Sequence, residues 1–405
     1  MKPLFWISLA VILYTYGGYP LAIALLARLQ PQPWRREPWP SAAPAPISIV
    51  MAVHNGAAML PAQIAHLLAL DSHLVREIVV VSDGSTDATP ALLREVADKR
   101  LCALVLKEHG GKAVALNHGI AAATGEVLLF VDIRPRIGPG ALAALLSNFA
   151  DPSVGCVAGE LLLNTQGHDA TASAVSGLYW RYEQWIRNSE AAWDSPVGVY
   201  GGFYAVRRSA ASTAPAGIIL DDMFQPLSII GNGYRSVIDR TAFVTDTWPA
   251  QAAGEFQRKV RTLAGNFQLI ALAPWLLTPK NRVLFQLISH KLLRLVVPYF
   301  FVLLLISSVV LGVHSIPFAV FAALQAAFWL MAVVALKVRI PIPMLHRIAS
   351  PASALLVLNA AAVVGLYTFL FTDGPLWKIW FPTAAPPDSH FQRRSEAMPP
   401  PPDFV

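Results

Sequence analysis

The sequence predicts an α/β domain built on a mostly parallel sheet and joined to α-helical transmembrane segments. Two patterns carry this. From residue 47 onward, short continuous apolar runs alternate with stretches of helical spacing, the pattern of strands buried on both faces. Four other apolar stretches are long enough to cross a bilayer, which takes about 20 residues. Composition agrees with both. Of 405 residues, 55% are apolar and only 14% charged, with a mean hydropathy of +0.49, whereas soluble domains carry about a quarter charged residues.

The first apolar stretch, residues 4–27, has no charge. It is too long for the core of a signal peptide and lacks a small-residue cleavage site, so it reads as a membrane anchor. The others are residues 295–313, 318–336 and 352–371. Arg28, Arg35 and Arg36 follow the first span, Lys280, Arg282, Lys291 and Arg294 precede the second, and Lys337, Arg339 and Arg347 join the last two. If the spans alternate, all of these fall on one side, and the positive-inside rule makes the large middle segment cytoplasmic. The net charge of +6 therefore belongs to membrane topology and membrane lipid. No motif or aromatic–basic interleaving points to nucleic acid. Cys102 and Cys156 sit in apolar runs, which suggests no disulfide framework and fits a reducing compartment.

Residues 30–46, rich in Pro, Trp and basic side chains, form a linker. ISIVMAV opens the domain as a buried strand, followed by a helix near residues 61–70 and a second strand and turn in EIVVVSDGS. TDATPALLREVADKR is a helix capped by Thr86 or Asp87. LCALVLKE, GKAVALNHGIAAATG and EVLLFVD read as strand, helix and strand. Ligands of parallel sheets bind outside the carboxyl ends of the strands, and Asp83 and Asp132 stand at two such ends. In the second half VGCVAGELLL is a strand, SGLYWRYEQWIRNSE a helix, and VGVYGGFYAVRRS a Gly-bearing turn into a strand. An acid pair in ILDD opens a helix that stops near Gly231 and Gly233, before another strand. GEFQRKVRTLAGNFQLIALAPWLL is helical and turns progressively apolar; its end, with NRVLFQLISHKLLRL, suggests helices in the membrane interface. Residues 381–405 are Pro-rich, and no internal repeat is evident.

VSDGSTD, GKAVALN, FVD, GGFYAVRR, ILDD and RKVRT, in this order between membrane spans, resemble a membrane-integrated family 2 glycosyltransferase. That group includes the cellulose, hyaluronan and poly-N-acetylglucosamine synthases. The resemblance runs from about residue 47 to 295, and order and spacing carry it more than any single motif. It implies a GT-A-type, Rossmann-like domain over 47–265, with an N-terminal membrane helix at 1–29 and the linker at 30–46. Interfacial helices at 266–294, three membrane helices within 295–371 and a tail at 372–405 complete the expected layout. The implied activity is inverting transfer from a nucleotide sugar, UDP-linked by resemblance, to a polysaccharide or lipid-linked acceptor. The implied setting is the cytoplasmic face of a bacterial inner membrane, alongside other exopolysaccharide-assembly proteins.

The resemblance also names residues. Asp83 would accept from the nucleotide base, although the family usually places its Asp at Ser82; otherwise Asp83 is a turn residue before Gly84. Asp87 is better explained as a helix cap. Lys112, after Gly110 and Gly111, would approach the diphosphate; the alternative is a solvated surface lysine. Asp132 opens the family's Asp-x-Asp pattern, whose carboxylates bind Mg²⁺ or Mn²⁺, but here Arg134 stands at the second acid. Either Asp132 holds a divalent cation with fewer protein ligands, or Arg134 or Arg136 engages the phosphates as a guanidinium can. The cation is the leading expectation, with Arg134 as its neighbour or as a phosphate contact.

Asp221 and Asp222 match the family's acid pair, whose second member is the general base. Adjacent acids repel, which can raise one pKa towards a useful value. In RKVRT the family's Gln-x-x-Arg-Trp register falls on Arg258, Arg261 and Thr262; Arg261 would contact the diphosphate and Lys259 would assist. The missing Gln and Trp put the acceptor-sugar platform of processive synthases in doubt. Trp180, Tyr182, Trp185 and Trp193 could stack on sugars, but helix packing explains them better. Two other functions compete. A nucleotidyltransferase would want a Gly-rich loop after the first strand, where VHNGAA supplies one Gly. A non-catalytic subunit of a polysaccharide assembly or export complex would account for the altered motifs, against the retention of Asp83, Asp132, Asp222 and Arg261.

Overall fold

The computed structural model describes residues 1–40, 43–164, 170–247, 252–337, 343–372 and 374–377. Eight strands, β1 (Ile47–Val53), β2 (Val75–Asp83), β3 (Leu101–Leu106), β4 (Val127–Val131), β5 (Arg136–Ile137), β6 (Val154–Asn164), β7 (Phe203–Arg207) and β8 (Arg235–Thr247), form one sheet. Their order is β3-β2-β1-β4-β7-β6-β8-β5. β3, β2, β1 and β4 run parallel, as do β6 and β8, while β7 is antiparallel to both its neighbours.

The β-branched runs form strands because both faces find a partner layer. Ile47, Ile49, Met51 and Val53 of β1 join Val127, Leu129 and Val131 of β4 in one core, under the helices Leu60–Leu68 and Ala141–Ser147. Val50, Leu128 and Phe130 face the other way, into a second core beneath the helix Lys112–Ala122. The antiparallel pairing of β4 with β7 matches Val131 with Phe203, so the turn before β7 arrives beside the end of β4. The two-residue β5 and the helix Ala141–Ser147 were not anticipated, being short pieces without a periodic signal of their own.

Among the described residues, four helices are long and apolar enough to cross a membrane: Lys2–Leu29, Leu284–Gly312, Ile316–Leu336 and Ile348–Phe371. Large apolar side chains point outward on them, such as Leu324 at 65% and Phe371 at 68% exposure, as lipid-facing surface would. Phe5 and Ile12 of the first pack against Val297 and Leu304 of the second. The helix Ala252–Leu272 is continuous across the expected boundary at 265–266, and Gly365 of the last helix lies against it.

The second of these helices starts well before residue 295, at Leu284. Hydropathy misses this start because the helix carries His290, Lys291 and Arg294, and these charges are matched internally. His290 lies 2.8 Å from Glu190 and 3.1 Å from Glu183, both on the helix Ala170–Trp193. Lys291 is 3.7 Å from Glu183, and Arg294 pairs with it directly. Burial works against ionising Glu183, but Arg294, Lys291 and His290 hold its pKa well below the usual carboxylate range.

Candidate active site

The ends of β1, β2 and β4 bring His54, Asp83 and Asp132 to one edge of the sheet. Asp83 is buried. One oxygen accepts the backbone N–H of Gly110 at 2.8 Å and the other that of Gly111 at 2.8 Å. His109 Nδ1 lies 2.8 Å from the carboxylate, and the rings of His109 and His54 stack at 3.8 Å. Gly84 sits at φ +58°, and a Cβ there would lie 2.3 Å from the backbone nitrogen of His109. Both oxygens of Asp83 thus hold the loop that starts the helix Lys112–Ala122. Asp87 caps its helix, accepting from Thr89 N at 3.0 Å and from Ala57 N at 3.0 Å.

Lys112 is no solvated surface lysine. Its Nζ lies 3.0 Å from Asp132 Oδ1 and 3.5 Å from Asp221 Oδ2. Burial opposes its charge, but Asp132, Asp221 and Asp222 outweigh that and hold its pKa above the ordinary lysine value. Asp222 has the opposite problem. Burial, and then the charge of Asp221, push its carboxyl up to about 7, with Lys112 pulling the other way. Val199 N donates to the Asp222 carbonyl at 3.2 Å. A Cβ on Gly201 would lie 2.9 Å from the Asp222 carboxylate, so the glycine makes room for it.

The segment after Asp132 is pinned from two sides. Gln63, fully buried, donates its amide to the carbonyls of Asp132 and Pro135, each at 3.1 Å. Arg136 bonds Gln63 and, at 3.0 Å, the Ala62 carbonyl. This fixes the loop and engages one Arg136 guanidinium nitrogen away from Asp132. Arg134 lies 3.3 Å from Asp246 on β8. Sequence reasoning missed Gln63, Gly201, Tyr200 and Asp246. For Gln63 a signal existed, a lone amide on the apolar face of a helix; for Asp246 there was none.

Lys259 and Arg261 lie half-buried on the helix Ala252–Leu272. Arg261 shares a face with Gly265, one turn later, and Gly265 packs on Ile219 and Leu220 just before the acid pair. Arg261 makes no hydrogen bond or ion pair with Asp132, Asp221 or Asp222 among the described residues, so the structure does not join it to that cluster. The four aromatics of the helix Ala170–Trp193 also separate. Tyr182 donates to the Tyr16 carbonyl at 2.9 Å and Trp193 packs edge-on to Phe285, both towards membrane helices. Trp185 is exposed, and Trp180 lies under the Arg187 guanidinium.

Among the described residues no group of three or more His, Cys, Asp or Glu could hold a metal by itself. A divalent cation nonetheless fits beside Asp132. Mg²⁺ is commonly held by one or two carboxylates plus substrate phosphates and water, and Asp132 is 41% exposed at the rim.

With this geometry in view, the comparisons with known proteins fall into place. The Glycosyl transferase family 2 model matches residues 48–213, from β1 to just beyond β7. This segment is a family 2 glycosyltransferase domain. The chain is 24% identical over 234 residues to the poly-β-1,6-N-acetyl-D-glucosamine synthase of Staphylococcus aureus, covering 55% of each chain. A 100-residue stretch is 34% identical to the succinoglycan biosynthesis protein ExoO of Rhizobium meliloti, 25% of this chain and 28% of that one. The chain thus spans about half the length of the curated relatives it matches. Among solved structures, the mannosyltransferase PcManGT from Pyrobaculum calidifontis, in complex with GDP-Man and Mn²⁺, matches at a TM-score of 0.67 and 21% identity. The match covers 91% of this chain and 99% of that one, and it makes the fold of the transferase domain GT-A, a Rossmann-like mostly parallel sheet with helices.

Proposed function

We propose that the chain is an inverting glycosyltransferase of the membrane surface. It moves a sugar from a nucleotide-sugar donor, UDP-linked by resemblance, to a polysaccharide or lipid-linked acceptor, on the cytoplasmic side. The observation that carries this reading is the bridge of Lys112 between Asp132 and Asp221, with Asp222 pushed up to about 7 beside it. A carboxylate of that pKa matches a general base working near neutral pH. Asp222 takes the proton of the acceptor hydroxyl as that oxygen bonds the anomeric carbon. The bond from that carbon to the diphosphate breaks, and its electron pair leaves with the diphosphate. Lys112 and Arg134 offset the charge that develops there. Mg²⁺ or Mn²⁺, held by Asp132 and the donor phosphates, would add Lewis-acid neutralisation of the leaving group. Asp83 acts by fixing the loop before Lys112, and Arg261, with Lys259 beside it, stands as a further diphosphate contact on the face towards Leu220.

The non-catalytic reading drew its support from Arg134 and from the altered motif at Arg261 and Thr262. The pairing of Arg134 with Asp246 is a physical compensation for the first of these and favours the enzyme. The test is release of nucleoside diphosphate from a panel of UDP- and GDP-sugars by the purified protein in lipid, with and without Mn²⁺ and a chelator. Release from one donor, dependent on the cation, supports the reading. Absence of both release and donor binding across the panel, with acceptor supplied, counts against it.

A further inference from the structure

Asp-x-Arg in place of Asp-x-Asp raises a question that the donor reading leaves open. An arginine two residues after Asp132 could fold back onto that carboxylate and quench it. It does not. Its Nη2 lies 3.3 Å from Oδ2 of Asp246, and the exposures are lopsided: 6% for the Asp246 side chain and 46% for that of Arg134. The carboxylate is the buried, fixed end of the pair, and the guanidinium is the end that faces out. Arg134 makes no other hydrogen bond or ion pair among the described residues, so most of its five N–H donors remain available.

The sheet sets this geometry. β5 and β8 pair antiparallel, with Arg136 opposite Thr245 and Ile137 opposite Val244, which carries Asp246 one residue past the ladder, level with the Asp132–Arg136 loop. The loop cannot drift, because Gln63 holds the carbonyls of Asp132 and Pro135 and Ile137 N donates to His66 at 2.9 Å. Tyr200 reports the same grouping. Burial, then Asp132 and Asp246, hold its hydroxyl above the ordinary phenol range, against Arg134 and Lys112. An ion pair with one exposed partner adds little to stability, and a buried carboxylate is costly to desolvate. The pair with Arg134 therefore adds little stability to set against burial of the Asp246 carboxylate.

We propose that Asp246 is a positioning residue for donor binding: it holds the Arg134 guanidinium at the rim of the Asp132 loop, where it grips the donor diphosphate. The inference rests on the transferase reading and deepens it. Two cations then flank Asp132, Lys112 fixed by Asp221 and Arg134 fixed by Asp246. A guanidinium fork offers paired N–H donors to phosphate oxygens where the family pattern places a second carboxylate.

The test uses the full chain in lipid. Donor KM and kcat are measured for wild type, Asp246→Asn, Asp246→Glu, Arg134→Met and the double variant Asp246→Asn/Arg134→Met, with Mn²⁺·UDP and Mn²⁺·GDP binding alongside. Asp246→Asn raises the donor KM about tenfold and moves kcat less than about threefold. Asp246→Glu recovers most of the loss, and Asp246→Asn adds nothing further in the Arg134→Met background. If Asp246→Asn alone fails to fold, the Glu variant and the double variant still carry the comparison. An unchanged KM in Asp246→Asn, or the same loss with and without Arg134, overturns the inference while wild-type turnover leaves the transferase reading standing. Wild-type protein that neither turns over nor binds either diphosphate overturns the transferase reading itself, and the inference with it.

Discussion

Lys112 Nζ stands 3.0 Å from Oδ1 of Asp132. The pair joins two loops at the ends of neighbouring parts of the sheet, and the same ammonium reaches Asp221 at 3.5 Å. Lys112 is therefore the common counter-charge of the cluster, and the ionisation of Asp222 depends on it.

The pH dependence of turnover follows from this. Asp222 must be ionised to act as a base, so kcat rises through about pH 7 and levels off above it. Asp221→Asn removes a charge that raises the Asp222 pKa, so the acid limb moves to lower pH. Lys112→Met removes a charge that lowers it, so the limb moves up, and donor KM rises as well. A pH–rate profile for the three proteins checks both directions.

Stability carries the opposite sign. A carboxyl raised from 3.8 to about 7 on folding contributes stability that is present in acid and is lost as pH rises through the folded value. The Asp222 contribution to melting temperature therefore falls between about pH 4 and pH 7 in the wild type. In Asp222→Asn that fall is absent, as thermal melts across the range would show.

Gly201→Ala puts a methyl group 2.9 Å from the Asp222 Cβ and from its Oδ2. Because Gly201 belongs to the turn before β7, the expected effect is a displaced carboxylate in a folded protein. The prediction is a fall in kcat of about a hundredfold, the scale of a misplaced general base, with donor KM changed little. Steady-state kinetics separate this from a loss of donor binding.

Asp83→Asn leaves one of the Gly110 and Gly111 amides facing an NH₂ group, which cannot accept. An orphaned buried donor costs about 1–3 kcal/mol, and here that cost falls on the loop before Lys112. Amide exchange at Gly110 and Gly111 should speed up, and kcat/KM should fall even though Asp83 touches no substrate in this account.

How much of this was legible in the sequence depends on the range of the contact. The strands of the first half were readable because each is a short apolar run closed by a turn, and Asp132, Lys112, Asp221 and Asp222 were named from motif order. Their meeting at one ammonium was not, since it depends on the antiparallel β7 delivering its turn beside β4. Asp83 was ambiguous for a physical reason: a carboxylate at a strand end suits a ligand or a loop equally well, and its bonds to the Gly110 and Gly111 amides were not readable from the sequence. Asp246 and Gln63 act on a loop far from them in sequence. The early start of the second membrane helix was hidden because its cations are matched by Glu183 and Glu190 from another helix.

Those glutamates give a further expectation. Glu183→Ala leaves Arg294, Lys291 and His290 without their shared buried counter-charge, which typically costs about 3–5 kcal/mol. The variant should melt markedly lower in detergent than the wild type, whereas Arg240→Ala, which removes a cation that is 75% exposed, should shift the melt much less.

The most direct test of the central claim is Asp222→Asn, with donor binding and nucleoside diphosphate release measured on the same preparation. The account predicts donor affinity within a few-fold of wild type and turnover lower by about a thousandfold or more. Asp222→Asn protein that binds donor and still turns over at near wild-type rate would contradict it, and the base would have to be sought elsewhere.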